Sequence, residues 1–329
     1  MLIVLLFNKM KIKIAVISMI FLIPLFVWGG PLTITLENDF LAEADRHYTH
    51  GTRFMYVFDE MGGDENERGN LATQLYICSL FGDKFDSNEK DNYWGVVLAQ
   101  YIYTPSDISI VELMVDDRPY AGWLYLGCIF FARDNYWQDL VEFDVGIIGP
   151  YSLAECTQTE IHKLIDSTIP MGWANQLGTE LGINVSYQKK YRYRYKDIFD
   201  VIPSVGGSLG NIATYMDVGC SLRLGYNLPD DFGFLRIEPT IRENEFGWGV
   251  YVFGDVEGRC VARNIFLDGN TFKKSHHVAK EIFVADLSIG LGVICGNFDF
   301  IYAYSFRTKE FYKQKEDNEF GTLSFCYEF

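Results

Sequence analysis

Glu37-Asn38-Asp39-Phe40 and Asp45-Arg46-His47-Tyr48-Thr49-His50-Gly51 bring an amide, a carboxylate and a hydroxyl close together between two strand-like runs. Such side chains either serve a site or make a polar turn, since Asn, Asp and Thr also close turns through bonds to their own backbone. A second candidate lies far along the chain, where Gln158 and His162 stand four apart in a helical pattern and so lie side by side, one turn apart. An imidazole that titrates near neutral pH suits proton transfer, and an amide can donate to an oxygen anion. A surface His and Gln without a task is the plainer reading. The choice depends on the elements that carry these residues.

The chain has 329 residues with 28 Lys and Arg against 44 Asp and Glu, a formal charge of −16. Lys11 and Lys13 precede an apolar run from Ile14 to Trp28 that ends in Gly29-Gly30, which reads as a signal peptide over residues 1–30. A membrane helix is the rival, but the run is short. Met10 is an alternative start. Removing the first thirty residues takes away three lysines and no acids, leaving 25 basic against 44 acidic residues, or −19. Nucleic acid is therefore not an expected partner. The seven cysteines are spread widely with no C-x-x-C pair, so neither a metal knuckle nor a disulfide framework is implied.

Beyond residue 30 no segment offers eighteen consecutive apolar residues, although 49% of the chain is hydrophobic and 16% aromatic. Runs of about ten residues instead alternate apolar with polar or small side chains: Leu32 to Phe40, Gly51 to Phe58, Trp94 to Tyr103, Trp123 to Arg133, Leu140 to Ile148, Met216 to Leu224, Trp248 to Val261, Ile282 to Ile294 and Phe298 to Phe306. This is the pattern of strands in a membrane barrel, and a soluble sandwich would show it too. The last residues separate the two. Tyr327, Phe325 and Leu323 share one face and the chain ends on Phe329, as in the terminal strand of bacterial outer-membrane barrels. In Lys190 to Lys196 the tyrosines 191, 193 and 195 fall on one face and Arg192 and Arg194 on the other, predicting an interfacial aromatic girdle with the cations in the lumen; phosphate binding by the arginines is the rival.

The expected fold is all-β: one closed antiparallel transmembrane β-barrel of about 12 strands over residues 31–329, with a short helix in an extracellular loop. An even strand number puts both termini in the periplasm. Asn38, Asp39 and Thr49 then lie at the extracellular rim, as do the segments Tyr103 to Ser106 and Asp117 to Trp123. The helix is expected over Ser152 to Thr168, with Ser152 as its cap and Leu153, Cys156, Ile161, Leu164 and Ile165 as an apolar stripe. Leu71 to Phe85 and Asn227 to Phe246 are long for periplasmic turns, so a further strand or helix could hide in either.

In this order the motifs resemble the outer-membrane lipid A 3'-O-deacylase family. The resemblance rests on Glu37-Asn38-Asp39, Asp45 with Tyr48-Thr49-x-Gly51, Tyr103-Thr104-Pro105-Ser106, Asp117-Arg118-Pro119-Tyr120-Ala121-Gly122-Trp123, Gln158-x-x-x-His162, Gly172-Trp173-x-Asn175-Gln176, Leu267 to Phe272 and the terminal aromatic. It implies a twelve-stranded barrel that removes the 3'-linked acyloxyacyl group of lipid A in a calcium-dependent reaction near the outer-leaflet surface. Carried over by motif, the functional positions are Asn38, Asp39, Thr49, Gln158 and His162. The family also has a lysine after the third strand; Asp107 to Asp117 holds none, and Arg118 is the nearest cation.

Ester hydrolysis needs a base for water, a clamp for the oxyanion and an anchor for a greasy anionic substrate. His162 is the expected general base and Asp39 the expected calcium ligand, with Asp45, Asp116, Asp117 and Asp166 as further candidates. Calcium would polarise the ester carbonyl. Asn38 and Gln158 can donate to the oxyanion. Thr49 either attacks as a nucleophile or positions water, with direct attack by water preferred. His47 and His50 receive no role. Arg118, Lys273 and Lys274, with His276 and His277 nearby, are candidate contacts for lipid A phosphates, or else simply a solvated loop. The alternatives in function are an outer-membrane phospholipase and a catalytically inactive barrel or channel. A monomer is expected.

Overall fold

The computed structural model describes residues 30–38, 48–58, 91–233 and 247–329. Twelve strands follow one another: β1 (Pro31–Asn38), β2 (Tyr48–Phe58), β3 (Asp91–Tyr103), β4 (Ala121–Arg133), β5 (Trp137–Ile148), β6 (Glu180–Tyr191, continued as Tyr193–Tyr195), β7 (Phe199–Gly210), β8 (Ala213–Tyr226), β9 (Trp248–Asn264), β10 (Phe283–Cys295), β11 (Phe298–Arg307) and β12 (Asn318–Glu328). Each pairs antiparallel with the next, β12 pairs with β1, and the sheet closes into a cylinder. Closure satisfies every edge, which a sheet crossing lipid requires. The expected strand runs fall within these elements, except that Ile282 precedes β10 and Asp39 and Phe40 lie outside the described residues. The candidate hidden segment Leu71 to Phe85 lies outside the described residues, as do residues 234–246.

Alternation is inverted relative to a soluble protein. On β10, Phe283, Leu287, Ile289 and Leu291 are exposed while Val284 and Asp286 are buried; on β8, Met216, Val218, Leu222 and Leu224 are exposed while Asp217, Ser221 and Arg223 are buried. The outer wall is apolar because lipid covers it, and the inner wall is polar. Charges in the lumen pair across strands, as buried ions must: Arg53 with Glu142 at 2.8 Å, Arg307 with Asp286 at 2.8 Å and Arg223 with Asp200 at 2.6 Å.

Pro31 pairs with Glu328, so both ends of the barrel chain lie at one rim. That rim carries the aromatic girdle. Tyr193 and Tyr195 are 61% and 65% exposed, and Trp137, Tyr191 and Tyr193 meet edge to face at 4.3 Å. Arg192 and Arg194 turn the other way and both pair with Asp230, so they act as lumenal anchors and not as phosphate ligands. Just after β8 the chain folds into the same end. Leu228 and Phe232 are 1% exposed there, and the carbonyl of Phe232 accepts from Lys190 Nζ.

Candidate active site

The opposite rim carries the connections β1–β2, β3–β4, β5–β6, β9–β10 and β11–β12, and cross-strand register fixes which way their neighbours face. Asn38 pairs with His50, His50 with Ile102 and Ile102 with Gly122. The adjacent row is Glu37, Gly51, Tyr101 and Trp123, of which Glu37, Tyr101 and Trp123 line a lumenal chamber of about 210 Å³ together with Arg53 and Glu142. Neighbours along a strand point to opposite faces. Asn38, His50, Ile102 and Gly122 therefore face outward, on the wall that elsewhere meets lipid. Among the described residues, Asn38, Gln158, His162, Arg118, Lys273 and Lys274 do not line the chamber. The sequence predicted a site at the barrel's mouth; of its candidates, Asn38 stands at that end of β1 but on the outer wall.

A helix covers this row. After β5, Pro150–Ser152 form one 3-10 turn, Leu153 takes a left-handed conformation at φ 62°, and α1 runs over Ala154–Ile165. The expected Ser152 cap is not made, because Leu153 is the capping residue and no side chain caps the helix. Ser152 is instead buried against the wall, its carbonyl accepting from Gln100 Nε2 at 2.6 Å. Gly122 permits this approach, since a methyl in its place would overlap both Ser152 Oγ and Ala154 Cβ.

The helix is inside out. Ala154, Gln158 and His162 are buried towards the barrel, whereas Leu153, Leu164 and Ile165 are about half exposed. The apolar stripe was read correctly as a stripe, but it does not pack on protein. Nearby loop residues Val111, Val115 and Met171 are exposed as well, so the apolar belt of the wall continues upward over α1.

Each buried polar group on the inner face has its orientation set. The His162 Nδ1 lies 2.5 Å from the carbonyl of Thr168. A carbonyl only accepts, so Nδ1 carries the proton and Nε2 keeps its lone pair. Thr168 comes back to the ring because Asp166 ends α1 in a left-handed turn at φ 57°, with the Ser167 N–H on the His162 carbonyl at 2.9 Å. Gln158 Oε1 accepts from Trp173 Nε1 at 2.8 Å. Trp173 lies in a short turn, Trp173–Asn175, packed on Tyr120 at 4.9 Å. On the wall, Asn38 Nδ2 lies 3.4 Å from His50 Nδ1, and His50 Nε2 lies 2.6 Å from Thr52 Oγ1. The amide donates, so His50 accepts at Nδ1 and donates from Nε2 to the hydroxyl. His50 is within electrostatic range of both Glu37 and His162. The helix pair and the Asn38–His50 row thus share one end and one face of the barrel.

Thr49 is the bulged residue of β2, between Tyr48 opposite Tyr103 and His50 opposite Ile102. Asp39, Asp45 and His47 lie outside the described residues. Lys273 and Lys274 are exposed on the loop after β9, with Lys273 Nζ donating to the carbonyl of Thr179 at 2.7 Å. Arg118 is different. It is 1% exposed, pairs with Glu310 at 2.5 Å and sits between the rings of Tyr103 and Phe311. Burial alone would raise the Glu310 carboxyl, but Arg118 and Arg307 outweigh it and hold it down to about 2. The expectation that Arg118 meets a phosphate therefore fails, because the guanidinium is consumed inside the loop assembly.

Two of the further calcium candidates, Asp116 and Asp117, are engaged by other partners. Asp116 pairs with Lys313, and Asp117 accepts from the backbone N–H of Ser106 and of Arg118. Among the described residues no three His, Cys, Asp or Glu side chains are placed to hold a metal.

Four contributors escaped sequence reasoning: His50, Thr168, Trp173 and Gly122. Trp173 and Gly122 stood inside motifs whose order was noticed, but motif order does not say what a residue touches.

Fold and wall together define an outer-membrane β-barrel with buried polar side chains between its outer surface and a covering helix. The family model described as "Outer membrane protein LpxR" matches residues 17–329. The chain belongs to this family, that of the lipid A 3'-O-deacylases. The structure of LpxR from Salmonella typhimurium is similar with a TM-score of 0.73 at 20% identity, over 91% of this chain and 100% of that one. The β domain of the Bordetella autotransporter BrkA gives 0.47 at 9% identity, over 92% and 99%. The translocator domain of NalP from Neisseria meningitidis gives 0.40 at 9%, over 91% and 87%. No curated protein matches the chain by sequence.

Proposed function

We propose that the protein is a lipid A 3'-O-deacylase whose cleft opens sideways to the outer leaflet and hydrolyses the 3'-linked acyloxyacyl ester. The observation that carries this reading is the placement of His162, Gln158, Asn38 and His50 between α1 and the outer barrel wall. Polar side chains on a lipid-facing wall are costly unless they serve something. A cleft there meets a lipid without its leaving the bilayer, and the exposed Leu164 and Ile165 of α1 lie against acyl chains. The termini face the periplasm and the cleft faces outward, and the protein acts as a monomer.

In this reading His162 Nε2 takes a proton from water as that water attacks the ester carbonyl. The developing oxyanion accepts from the Gln158 and Asn38 amides, and the imidazolium returns the proton to the departing sugar oxygen. The products are the free acyloxyacyl acid and the sugar hydroxyl. Thr49 positions the water. Lys273 and Lys274 meet the phosphates of the headgroup. Calcium enters as a requirement, with Asp39 its expected ligand, and no step above runs through it.

The test is mass spectrometry of lipid A incubated with the purified barrel, with a glycerophospholipid in parallel. The expected result is loss of the 3' acyloxyacyl mass from lipid A alone, abolished by His162→Ala. Release of fatty acid from the glycerophospholipid instead would reassign the substrate, and lipid A unchanged by the wild-type protein would mark an inactive barrel.

A further inference from the structure

Gln158 is 2% exposed, and its side-chain nitrogen is fully buried with no acceptor among the described residues. Buried amide N–H groups left without partners are rare and costly, so each needs an explanation. The orientation of this amide is chemically determined. The indole N–H of Trp173 can only donate, so the atom facing it at 2.8 Å must be the Gln158 oxygen, and the NH2 group must turn away. His162 lies one turn further along the same inner face of α1. The arrangement leaves a donor beside the base, with no oxygen to accept from it among the described residues.

We propose that Trp173 is a positioning residue that fixes the Gln158 amide so that its NH2, and not its oxygen, faces the cleft. This rests on the deacylase reading, in which the NH2 meets the ester oxygen as it gains charge. Without the indole N–H the amide has no reason to prefer that orientation, and an oxygen turned into the cleft repels the oxyanion. Tyr120 and Ala154, which pack with Trp173 in one apolar cluster, hold the indole itself. The Gly172-Trp173 motif therefore has its reason in a single hydrogen bond made to a residue fifteen positions away.

Three variants test it. Trp173→Phe, and replacement of Trp173 by benzothienylalanine, which keeps the indole shape and lacks the N–H, are each assayed on lipid A with and without Gln158→Ala. The expected result is a fall in kcat of about tenfold for either Trp replacement, the size of one lost hydrogen bond, with KM within twofold and no further fall when Gln158 is already Ala. An equal fall in both backgrounds assigns Trp173 to packing alone and overturns the proposal. The contact has a readout independent of activity: the indole ¹⁵N–¹H resonance of Trp173 should shift in Gln158→Leu. An unmoved resonance overturns the proposal whatever the enzyme acts on, whereas a wild-type barrel inactive on lipid A with a shifted resonance condemns the deacylase reading and leaves the contact standing.

Discussion

Gly122→Ala is a one-methyl change that separates the barrel from its chemistry. Gly122 faces outward on β4, where ordinary van der Waals approach begins at 3.4 Å and a Cβ would fall well inside that distance from both Ser152 Oγ and Ala154 Cβ. Neither atom is the far end of a flexible chain: Ser152 is 0% exposed with its backbone held by Gln100, and Ala154 is the first residue of α1. The entry of the helix must therefore retreat from the wall by about 1 Å, carrying His162 and Gln158 with it, and a misplacement of that size can cost on the order of 100-fold in rate. The strand ladders of β3, β4 and β5 do not pass through this contact, so the barrel should unfold at nearly the wild-type urea concentration. The assay is the initial rate of 3' deacylation of lipid A beside a denaturant titration followed by far-UV circular dichroism. Rates within threefold of wild type would refute the reasoning, because they would mean that the close approach of α1 to the wall does not set the catalytic geometry. Equal loss of fold and rate would refute it as well.

Because folding holds the Glu310 carboxyl at about 2 against an ordinary value of 4.5, its contribution is full above pH 4.5 and drains away as pH falls towards 2. It amounts to about 3 kcal/mol. The stability difference between wild type and Glu310→Gln, measured in urea, should shrink as pH falls from 5 to 2; a pH-independent difference would mean that the carboxylate is not charged against Arg118. Chelation should abolish deacylation and added calcium should restore it, whereas activity that survives prolonged chelation removes the metal from the reaction. Replacing Lys273 and Lys274 by Ala should raise KM for lipid A severalfold at low ionic strength, with the gap closing in high salt as exposed charges are screened; a gap that salt does not touch would exclude a phosphate contact.

The barrel was legible because alternation is a property of neighbours along the chain. Leu287, Ile289 and Leu291 declare a lipid-facing edge without help from any other strand, and Tyr193 and Tyr195 declare the girdle in the same way. Helix α1 was legible too, in its spacing and in the pairing of Gln158 with His162. Its cap was misread because a Ser before a helical run is a common cap, and nothing local says that Leu153 takes the left-handed turn so that Ser152 can pack on Gly122. Arg118 looked like a free cation since its partner, Glu310, stands 192 positions later. The decisive point was equally invisible. Whether Asn38 and His50 face the lumen or the lipid is a matter of register, and a slip of one residue would exchange the two faces without altering any local pattern. Sequence alone determined that this chain forms a membrane cylinder and which residues gather at one end; pairing across strands, which couples residues hundreds of positions apart, decided that they meet on the outside of the wall, under a helix turned inside out.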